Sequence, residues 1–465
     1  MAVWDRLMLV VLIAVFGGEA AAQAVVATLP AGQGTRGLAV NPATNKVYAV
    51  NEFSSSVTVI DGATNATATV AVGPRPQYIT VNPNTNRVYV SNGGNSSQTV
   101  IDGATHATVT LPTSGNGPFA VNRTTNKIFM LRLGPTDEVT VIDGLSHEWY
   151  SLATDSWTPV SLDVNPVTNK LFVAHYTTGD VKIVDMNSSS DFPPVKGVPV
   201  WSKPVAVAVN PNTNKAYAIT EDARGPINVI DGALQTAVSF APAGHASGPR
   251  AIAVNTATNK IYAAFNGEVI AIDGATNALA FVPTVTAAAL AINQNTNRIY
   301  VAGAQGTLDV IDGATNAVTH VAIPVGASSI GINPTSNRVY IATGSGVTVI
   351  DGGGAPTTPP PLPAAFNVQG LWWRPSESGW GVNLTQQGET LFATWFTYDT
   401  QGNGLWLVMS SGARSGANSY SGTLYQTTGP GFNEVPFNSA KVATAPVGTA
   451  TFSFNDADNG TFAYT

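Results

Sequence analysis

The chain has 465 residues, of which 44% are hydrophobic and only 11% are charged, less than half the usual charged share. The net charge of −7 argues against a nucleic-acid partner, which would require a basic surface, so we expect no such partner. The absence of cysteine excludes disulfides and thiol chemistry.

The N-terminus has the features of a secretory signal peptide. An apolar run over 7–16 follows Arg6, and the small residues Ala20–Ala22 precede the expected cleavage site. The run is too short to span a bilayer comfortably, and no other segment of the sequence is suited to crossing one. We therefore predict a signal peptide over 1–23, no transmembrane segment after cleavage, and a periplasmic, secreted or cell-surface location.

The dominant feature of the sequence is one unit that recurs eight times with a period of about forty residues. Each unit opens with V-N-P-x-T-N-K-V-Y, or a close variant, and ends in V-T-V-I-D-G or its equivalent. A period of this length built from short β-rich runs is typical of a β-propeller, in which each unit forms one four-stranded blade. The opening asparagines are Asn41, Asn82, Asn122, Asn165, Asn210, Asn255, Asn293 and Asn333. The closing aspartates are Asp61, Asp102, Asp143, Asp185, Asp231, Asp273, Asp312 and Asp351.

The two ends of the repeat array indicate how it closes. The eighth unit has no fourth strand after Gly352, whereas an unpaired β-rich run, residues 24–29, precedes the first unit. We predict that this run supplies the missing outer strand, because an open edge would otherwise remain between the first and last blades. The predicted fold is therefore all-β, an eight-bladed β-propeller over 24–352. A Pro-rich linker at 353–365 and a small antiparallel β-domain at 366–465 follow.

Each unit also carries a lysine or arginine five residues after its opening asparagine. This base starts the predicted second strand, and the closing aspartate ends the antiparallel third strand. The two side chains should therefore lie side by side, and we predict a cross-strand ion pair within every unit. The bases are Lys46, Arg87, Lys127, Lys170, Lys215, Lys260, Arg298 and Arg338.

Two kinds of loop alternate along each unit. The N-P-x-T-N and D-G-x-T-N loops are nearly the same in all units and define the repeat-loop face of the predicted disc. The loops between second and third strands, and the crossovers between units, differ freely and define the variable-loop face. Because variable loops on a rigid scaffold usually carry binding, we predict a ligand site at this face and at the mouth of the central channel. Its candidate residues are Arg36, Arg75, Tyr78, Trp157, Asp163, His175, Trp201, Lys203 and Arg250.

Two of these candidates break the pattern of small residues on the first strand of each unit. Tyr78 is one, and Asp163 stands where every other unit has Gly, Ala or Thr. The Asp163 carboxylate has two interpretations: it is satisfied by backbone donors or water in the channel, or it contacts a ligand.

No catalytic signature accompanies these residues. The histidines lack metal-ligand spacing, and no nucleophile elbow, phosphate loop or zinc motif is present. We therefore predict no catalytic residue, metal or cofactor, and a non-enzymatic binding or scaffold protein whose partner is a protein or a glycan. The alternative is a propeller-fold enzyme of metal-dependent lactonase or lyase type. Such an enzyme needs several carboxylates or a histidine at the channel, and Asp163 is alone there.

The repeat resembles the YVTN-type β-propeller repeat family of bacterial and archaeal surface and periplasmic proteins. Tyr89–Asn92 is nearly its eponymous tetrapeptide, and V-N-P-x-T-N-K and V-I-D-G-A-T-N match its consensus. The resemblance covers about 24–352 and implies an extracytoplasmic, usually non-catalytic propeller. Propellers of this family are often described with seven blades, so seven is the alternative to eight.

The C-terminal part differs from the repeats in its many aromatic residues, and it is similar to an uncharacterised β-module of secreted proteobacterial proteins. Trp372, Trp373 and Trp380 are candidates for a glycan-stacking platform, although tryptophans in so small a domain also serve as its core. A glycan-binding module of this kind would make the chain a surface-layer or adhesive protein, a third interpretation. The sequence ends inside an alternating strand pattern, which is typical of a fragment.

Overall fold

The computed structural model describes residues 23–134, 138–188, 193–222, 227–240, 248–353, 368–374, 377, 379–387, 390–416, 419–430, 441–454 and 459–465. The predicted signal peptide before residue 23 and nearly all of the Pro-rich linker lie outside these residues. Within them, every regular element is a β-strand, which confirms the predicted all-β class. The same residues contain no helix with the length and apolar character needed to cross a bilayer.

Units two to seven each form a four-stranded antiparallel sheet, whereas units one and eight share one seven-stranded antiparallel sheet. The first strands are β1 (Ala24–Asn41), β5 (Pro76–Asn82), β9 (Phe119–Asn122), β13 (Pro159–Asn165), β17 (Pro204–Asn210), β21 (Ala251–Asn255), β25 (Ala287–Asn293) and β29 (Ser329–Asn333). The second strands are β2 (Lys46–Asn51), β6 (Arg87–Asn92), β10 (Lys127–Leu131), β14 (Lys170–His175), β18 (Lys215–Thr220), β22 (Lys260–Ala264), β26 (Arg298–Gly303) and β30 (Arg338–Ala342).

The third and fourth strands complete each sheet in sequence order. The third strands are β3 (Ser56–Asp61), β7 (Ser97–Asp102), β11 (Glu138–Asp143), β15 (Asp180–Asp185), β19 (Ile227–Asp231), β23 (Glu268–Asp273), β27 (Thr307–Asp312) and β31 (Gly344–Asp351). The fourth strands are β4 (Thr67–Ala71), β8 (Thr108–Leu111), β12 (Trp149–Ala153), β16 (Val195–Pro199), β20 (Thr236–Phe240), β24 (Leu279–Pro283) and β28 (Val318–Ala322).

Strand β1 belongs to two units at once. Its first part, Ala24 to Pro30, pairs antiparallel with β31, and its last part pairs with β2. The sheet order is therefore β29-β30-β31-β1-β2-β3-β4, so the N-terminal strand is the fourth strand of the eighth unit. The predicted closing strand is confirmed, and it joins the last unit to the first.

Asparagines link each unit to the next. The opening Asn of every unit is fully buried and donates its amide N–H to the second Asn of the following N-P-x-T-N loop, at 2.6 to 2.9 Å. The second Asn of each loop has φ of 50° to 53°, a left-handed conformation that asparagine tolerates. The last of these bonds runs from Asn333 back to Asn45, so the series closes. First strands of neighbouring units are also in contact, including β29 with β1. The arrangement is consistent with a β-propeller.

The predicted ion pairs within units are mostly wrong, although the Cα register is right. In every unit the base lies opposite its aspartate, as Lys46 does opposite Asp61. Only Lys127 and Arg298 form an ion pair with that aspartate. Five bases instead donate a hydrogen bond, at 2.7 to 3.5 Å, to the carbonyl oxygen of the glycine that follows the closing aspartate of the next unit. The pairs are Lys46 with Gly103, Lys170 with Gly232, Lys215 with Gly274, Lys260 with Gly313 and Arg338 with Gly62.

The closing aspartates are occupied by their own turns. Asp61 accepts hydrogen bonds from the N–H groups of Ala63 and Thr64 and from the Thr64 hydroxyl. These bonds, with the Thr64 N–H contributing most, hold the pKa of Asp61 below its usual value. Its neighbour Gly62 is required sterically, because a Cβ there would lie 2.3 Å from the Asn45 Oδ1 atom.

The second strand of each unit carries one fully buried aromatic ring. These rings are Tyr48, Tyr89, Phe129, Phe172, Tyr217, Tyr262, Tyr300 and Tyr340. Burial raises the pKa of four of them, Tyr48, Tyr89, Tyr262 and Tyr300, to about 12.

Alkaline unfolding is the expected consequence of these buried phenols. A tyrosine in an unfolded chain ionises near pH 10, so between about pH 10 and pH 12 the folded chain holds these protons more tightly. Stability should therefore fall as the pH rises through this window, with tyrosinate absorbance and loss of β-sheet circular dichroism appearing together. Replacing Tyr262, whose buried hydroxyl has no partner among the described residues, by Phe should raise the midpoint. Ionisation of these four tyrosines near pH 10 in an intact fold would contradict this expectation.

The C-terminal part forms one seven-stranded antiparallel sheet in sequence order. Its strands are β32 (Gly370–Trp372), β33 (Gly381–Gln387), β34 (Thr390–Tyr398), β35 (Gly404–Gly416), β36 (Ser419–Thr428), β37 (Ala443–Phe454) and β38 (Gly460–Tyr464). One face carries a core of its own that includes Leu384, Trp395, Met409 and Phe452.

Candidate functional site

The first and second units meet in a charged cluster at the variable-loop face. Glu52 follows β2 and is 5% exposed. Arg36 approaches one of its carboxylate oxygens at 2.7 Å, and Arg75 approaches the other at 3.0 Å. Gln77 donates a third hydrogen bond at 3.1 Å. Burial alone would raise the pKa of Glu52, but the hydrogen bonds from Arg36, Gln77 and Arg75 outweigh it and lower that pKa.

A cavity of about 270 Å³ lies beside this cluster, where the first strands of units eight, one and two come together. Two predicted site residues, Arg36 and Tyr78, line it. The complete lining is Arg36, Gly37, Leu38, Gln77, Tyr78, Ile79, Ser328 and Ser329. The structure therefore places Arg36 and Tyr78 at one cavity and Arg75 in the charged cluster beside it.

A second set of predicted residues, Trp157, Trp201 and Lys203, lies on the two crossovers that flank the fourth unit. The Lys203 Nζ atom lies 4.9 Å from the centre of the Tyr176 ring, a cation–π contact. Tyr176 also donates a hydrogen bond from its hydroxyl to Glu221. Trp157 is 61% exposed and Trp201 is 38% exposed.

Arg250 belongs to neither group. It precedes β21 in the sixth unit and donates a hydrogen bond from Nε to Asn266 at 2.9 Å. The contacts in the structure therefore do not indicate a single ligand site that combines Arg36, Arg250, Trp157 and Trp201.

The structure supports the first of the two interpretations of Asp163, in which backbone N–H groups satisfy its carboxylate. Its two oxygens accept hydrogen bonds from the N–H groups of Val164 and Val209, both at 2.8 Å. Val209 lies on the first strand of the next unit, so the carboxylate joins two units. Desolvation raises the pKa of Asp163 to about 6, although both N–H groups oppose the rise.

His175 is a correction to the predicted site, because its side chain is fully buried rather than open to a ligand. It lies at the end of β14, and its Nε2 atom is 3.0 Å from the Thr154 hydroxyl. Burial lowers the pKa of His175 to about 4, and the nearby Asp180 charge opposes this only in part. Among the described residues, no three His, Asp or Glu side chains converge as metal ligands would.

The predicted glycan platform is wrong for two of its three residues. Trp372 packs edge-on against Phe454, with ring centres 5.1 Å apart, and it donates a hydrogen bond to the Val368 carbonyl. Trp380 also packs against the core of the C-terminal sheet. Only Trp373, at 66%, is exposed.

Sequence reasoning did not identify Glu52 as the centre of the charged cluster. A signal was available in the repeat, since only Glu52 and Glu221 place an acid eleven residues after the opening asparagine. Glu52 has no base within five residues of it in the sequence, and its partners Arg36 and Arg75 come from β1 and from the segment before β5.

The fold defines an all-β repeat protein with the sheet arrangement of a β-propeller. No protein-family model matches the chain, and no curated protein matches it. Among 1612 matching chains of solved structures is hydrazine synthase of Kuenenia stuttgartiensis. It shares 16% sequence identity with this chain at a TM-score of 0.48, over 71% of this chain and 96% of that chain.

This comparison corrects one prediction. We expected a chain that is not an enzyme, but the matched structure is that of an enzyme, so that exclusion is withdrawn. A likeness of this degree carries no activity, substrate or partner over to this chain. The resemblance to the YVTN-type family remains a prediction.

Proposed function

We propose that the eight units are the blades of a single closed eight-bladed β-propeller of the YVTN type. The circular series of asparagine hydrogen bonds supports this count, since each unit uses one bond to the next and the eighth returns to the first. The position of β1 in the last sheet supports it as well.

On this scaffold we propose an exported binding protein that acts at the cell envelope or outside the cell. Its ligand, a glycan or a small polar molecule, occupies the variable-loop face at the channel mouth. The N-terminal apolar run supports export. The protein secreted from a bacterial host should start at Ala24, which N-terminal sequencing would establish.

One observation carries the binding proposal. The cavity of about 270 Å³ opens beside three polar or charged side chains that belong to different units, Arg36, Gln77 and Ser328. On the repeat-loop face, by contrast, the opening asparagines, bases and closing aspartates are used to join units or to form turns. Concave sites with a few convergent polar groups are where ligands bind.

Blocking the cavity tests this function. Ser328 is exposed and lines the cavity, so Ser328→Trp should fill it. Binding of the wild-type chain is measured on arrays of glycans and small organic acids and with isolated envelope polysaccharide. The matched control is Ser336→Trp, an exposed serine of the same unit on the repeat-loop face. The proposal predicts a ligand lost with Ser328→Trp and kept with Ser336→Trp. Absence of any ligand, or equal effects of the two variants, would overturn it.

A second candidate function is adhesion through the C-terminal sheet. Its outer side exposes Tyr398 at 57% and Trp406 at 65%, and the Trp406 ring lies 6.0 Å from that of Phe396. Exposed aromatic rings stack on sugars readily. A glycan lost with Trp406→Ala but kept with Ser328→Trp would favour this function.

A further inference from the structure

The lining of the mouth cavity combines one cation with neutral polar and apolar groups. Arg36 is its sole charged residue, and 48% of its side chain is exposed. Gln77, Tyr78 and the two serines are uncharged and polar, while Leu38 and Ile79 are apolar. A site with this composition suits a molecule that has one negative charge and a neutral, hydroxylated body.

The Arg36 guanidinium is held in place before any ligand arrives. Its Nη1 atom contacts the buried Glu52 carboxylate at 2.7 Å. The Ser328 hydroxyl donates to the Arg36 carbonyl at 3.1 Å, which fixes the backbone from the neighbouring unit. A planar guanidinium has five N–H donors, so the contact with Glu52 leaves others for a ligand. Preorganisation of this kind lowers the entropy lost on binding.

The charge of the cluster is positive overall. Arg36 and Arg75 together carry two positive charges, and Glu52 supplies one negative charge. The net charge of +1 favours an anion over a neutral molecule or a cation. A carboxylate matches the guanidinium geometry, because it accepts two parallel hydrogen bonds.

We propose that the mouth cavity binds a monosaccharide-sized hydroxy acid, such as a hexuronate, with its carboxylate on Arg36. This inference rests on the proposed binding function of the same cavity. A volume of about 270 Å³ fits one sugar ring rather than a larger ligand. Gln77 and Tyr78 offer hydrogen-bonding groups to its hydroxyls, and Leu38 and Ile79 pack against its C–H face.

Glucuronate and glucose are the matched probes, since they differ in a carboxylate against a hydroxymethyl group. Isothermal titration of the full chain should show glucuronate bound at least about tenfold more tightly than glucose, as expected of a charge-assisted hydrogen bond. Arg36→Gln should remove this preference, and Arg36→Lys should keep part of it. Lys196→Gln, the loss of an exposed cation on the outer strand β16, should leave it unchanged.

Equal binding of the two sugars by the wild-type chain would overturn the inference without any variant. A preference that survives in a folded Arg36→Gln chain would also overturn it. Suppose that another ligand binds the wild-type chain but not the Ser328→Trp chain, while the wild-type chain does not prefer glucuronate to glucose. In that case the hydroxy-acid assignment fails and the binding function stands. If no ligand of any class binds, both fail together.

Discussion

Removing residues 24–30 should prevent the chain from folding into a stable monomer. This segment is the fourth strand of the eighth unit, where Ala27 and Leu29 pack against a cluster that includes Val347 and Val349. The loss of its ladder and apolar burial should cost about 3–6 kcal/mol. That is a large part of the stability of a typical domain. Thermal unfolding and size-exclusion chromatography would measure the effect, and aggregation is expected because β31 becomes an open edge.

The control is a chain that starts at Ala24, which differs from the shortened chain only in the closing strand. A synthetic peptide of residues 24–30, added during refolding of the shortened chain, should restore a soluble monomer by pairing with the exposed edge. A shortened chain as stable as the control would show that the strand contributes little to closure.

Asn210→Ala should cause the second large loss of stability. Asn210 is fully buried, donates to the Asn259 Oδ1 atom at 2.8 Å and accepts from the Asn212 N–H at 3.1 Å. Its truncation deprives two groups of their partners and should lower the free energy of unfolding by about 2–4 kcal/mol. Chemical denaturation would give the value.

The matched control is Asn212→Ala, in the same loop, because the Asn212 side chain is exposed and donates a hydrogen bond to the Thr256 carbonyl. It should cost less than about 0.5 kcal/mol. Asn210→Asp adds a pH test, since an ionised carboxylate can accept from Asn212 but cannot donate to Asn259. Its deficit should shrink as the pH falls and the carboxyl is protonated. Equal effects of Asn210→Ala and Asn212→Ala would contradict a structural role for the buried asparagine series.

Much of the fold could be predicted because the repeat carries its own register. The spacing within one unit places Lys46 opposite Asp61, and the structure has the same pairing in all eight units. The closing strand could also be predicted, because the array has a surplus β-rich run at one end and lacks a strand at the other. Local pairing rules of antiparallel strands were sufficient for both.

Contacts between units could not be read in this way. Lys46 reaches the Gly103 carbonyl of the next unit rather than its own aspartate, whereas Lys127 pairs with its own Asp143, although both aspartates accept the same backbone N–H bonds from their turns. The same limitation applies to His175, whose burial depends on how the third and fourth units pack. Sequence spacing describes neighbours along a strand, but not those on the adjacent sheet.

The candidate site could be predicted only in part, because it too depends on contacts between units. Arg36 and Tyr78 were expected at the predicted site because of their place in the repeat, and both line the cavity, while Arg75 lies in the charged cluster beside it. That Glu52 holds Arg36 depends on how the loop after β2 folds back over β1. The cavity itself requires the eighth unit to lie beside the first, since Ser328 and Ser329 form one of its walls.

A disulfide between β1 and β31 tests this closure most directly. Thr28 and Thr348 are register partners in a chain that has no cysteine, so Thr28→Cys with Thr348→Cys creates a single pair. Non-reducing mass spectrometry of the oxidised protein would locate the bond. The closed ring predicts an intramolecular disulfide in a monomer at every protein concentration. A free dithiol, or a bond that forms only between two chains, would contradict the ring and the cavity that depends on it.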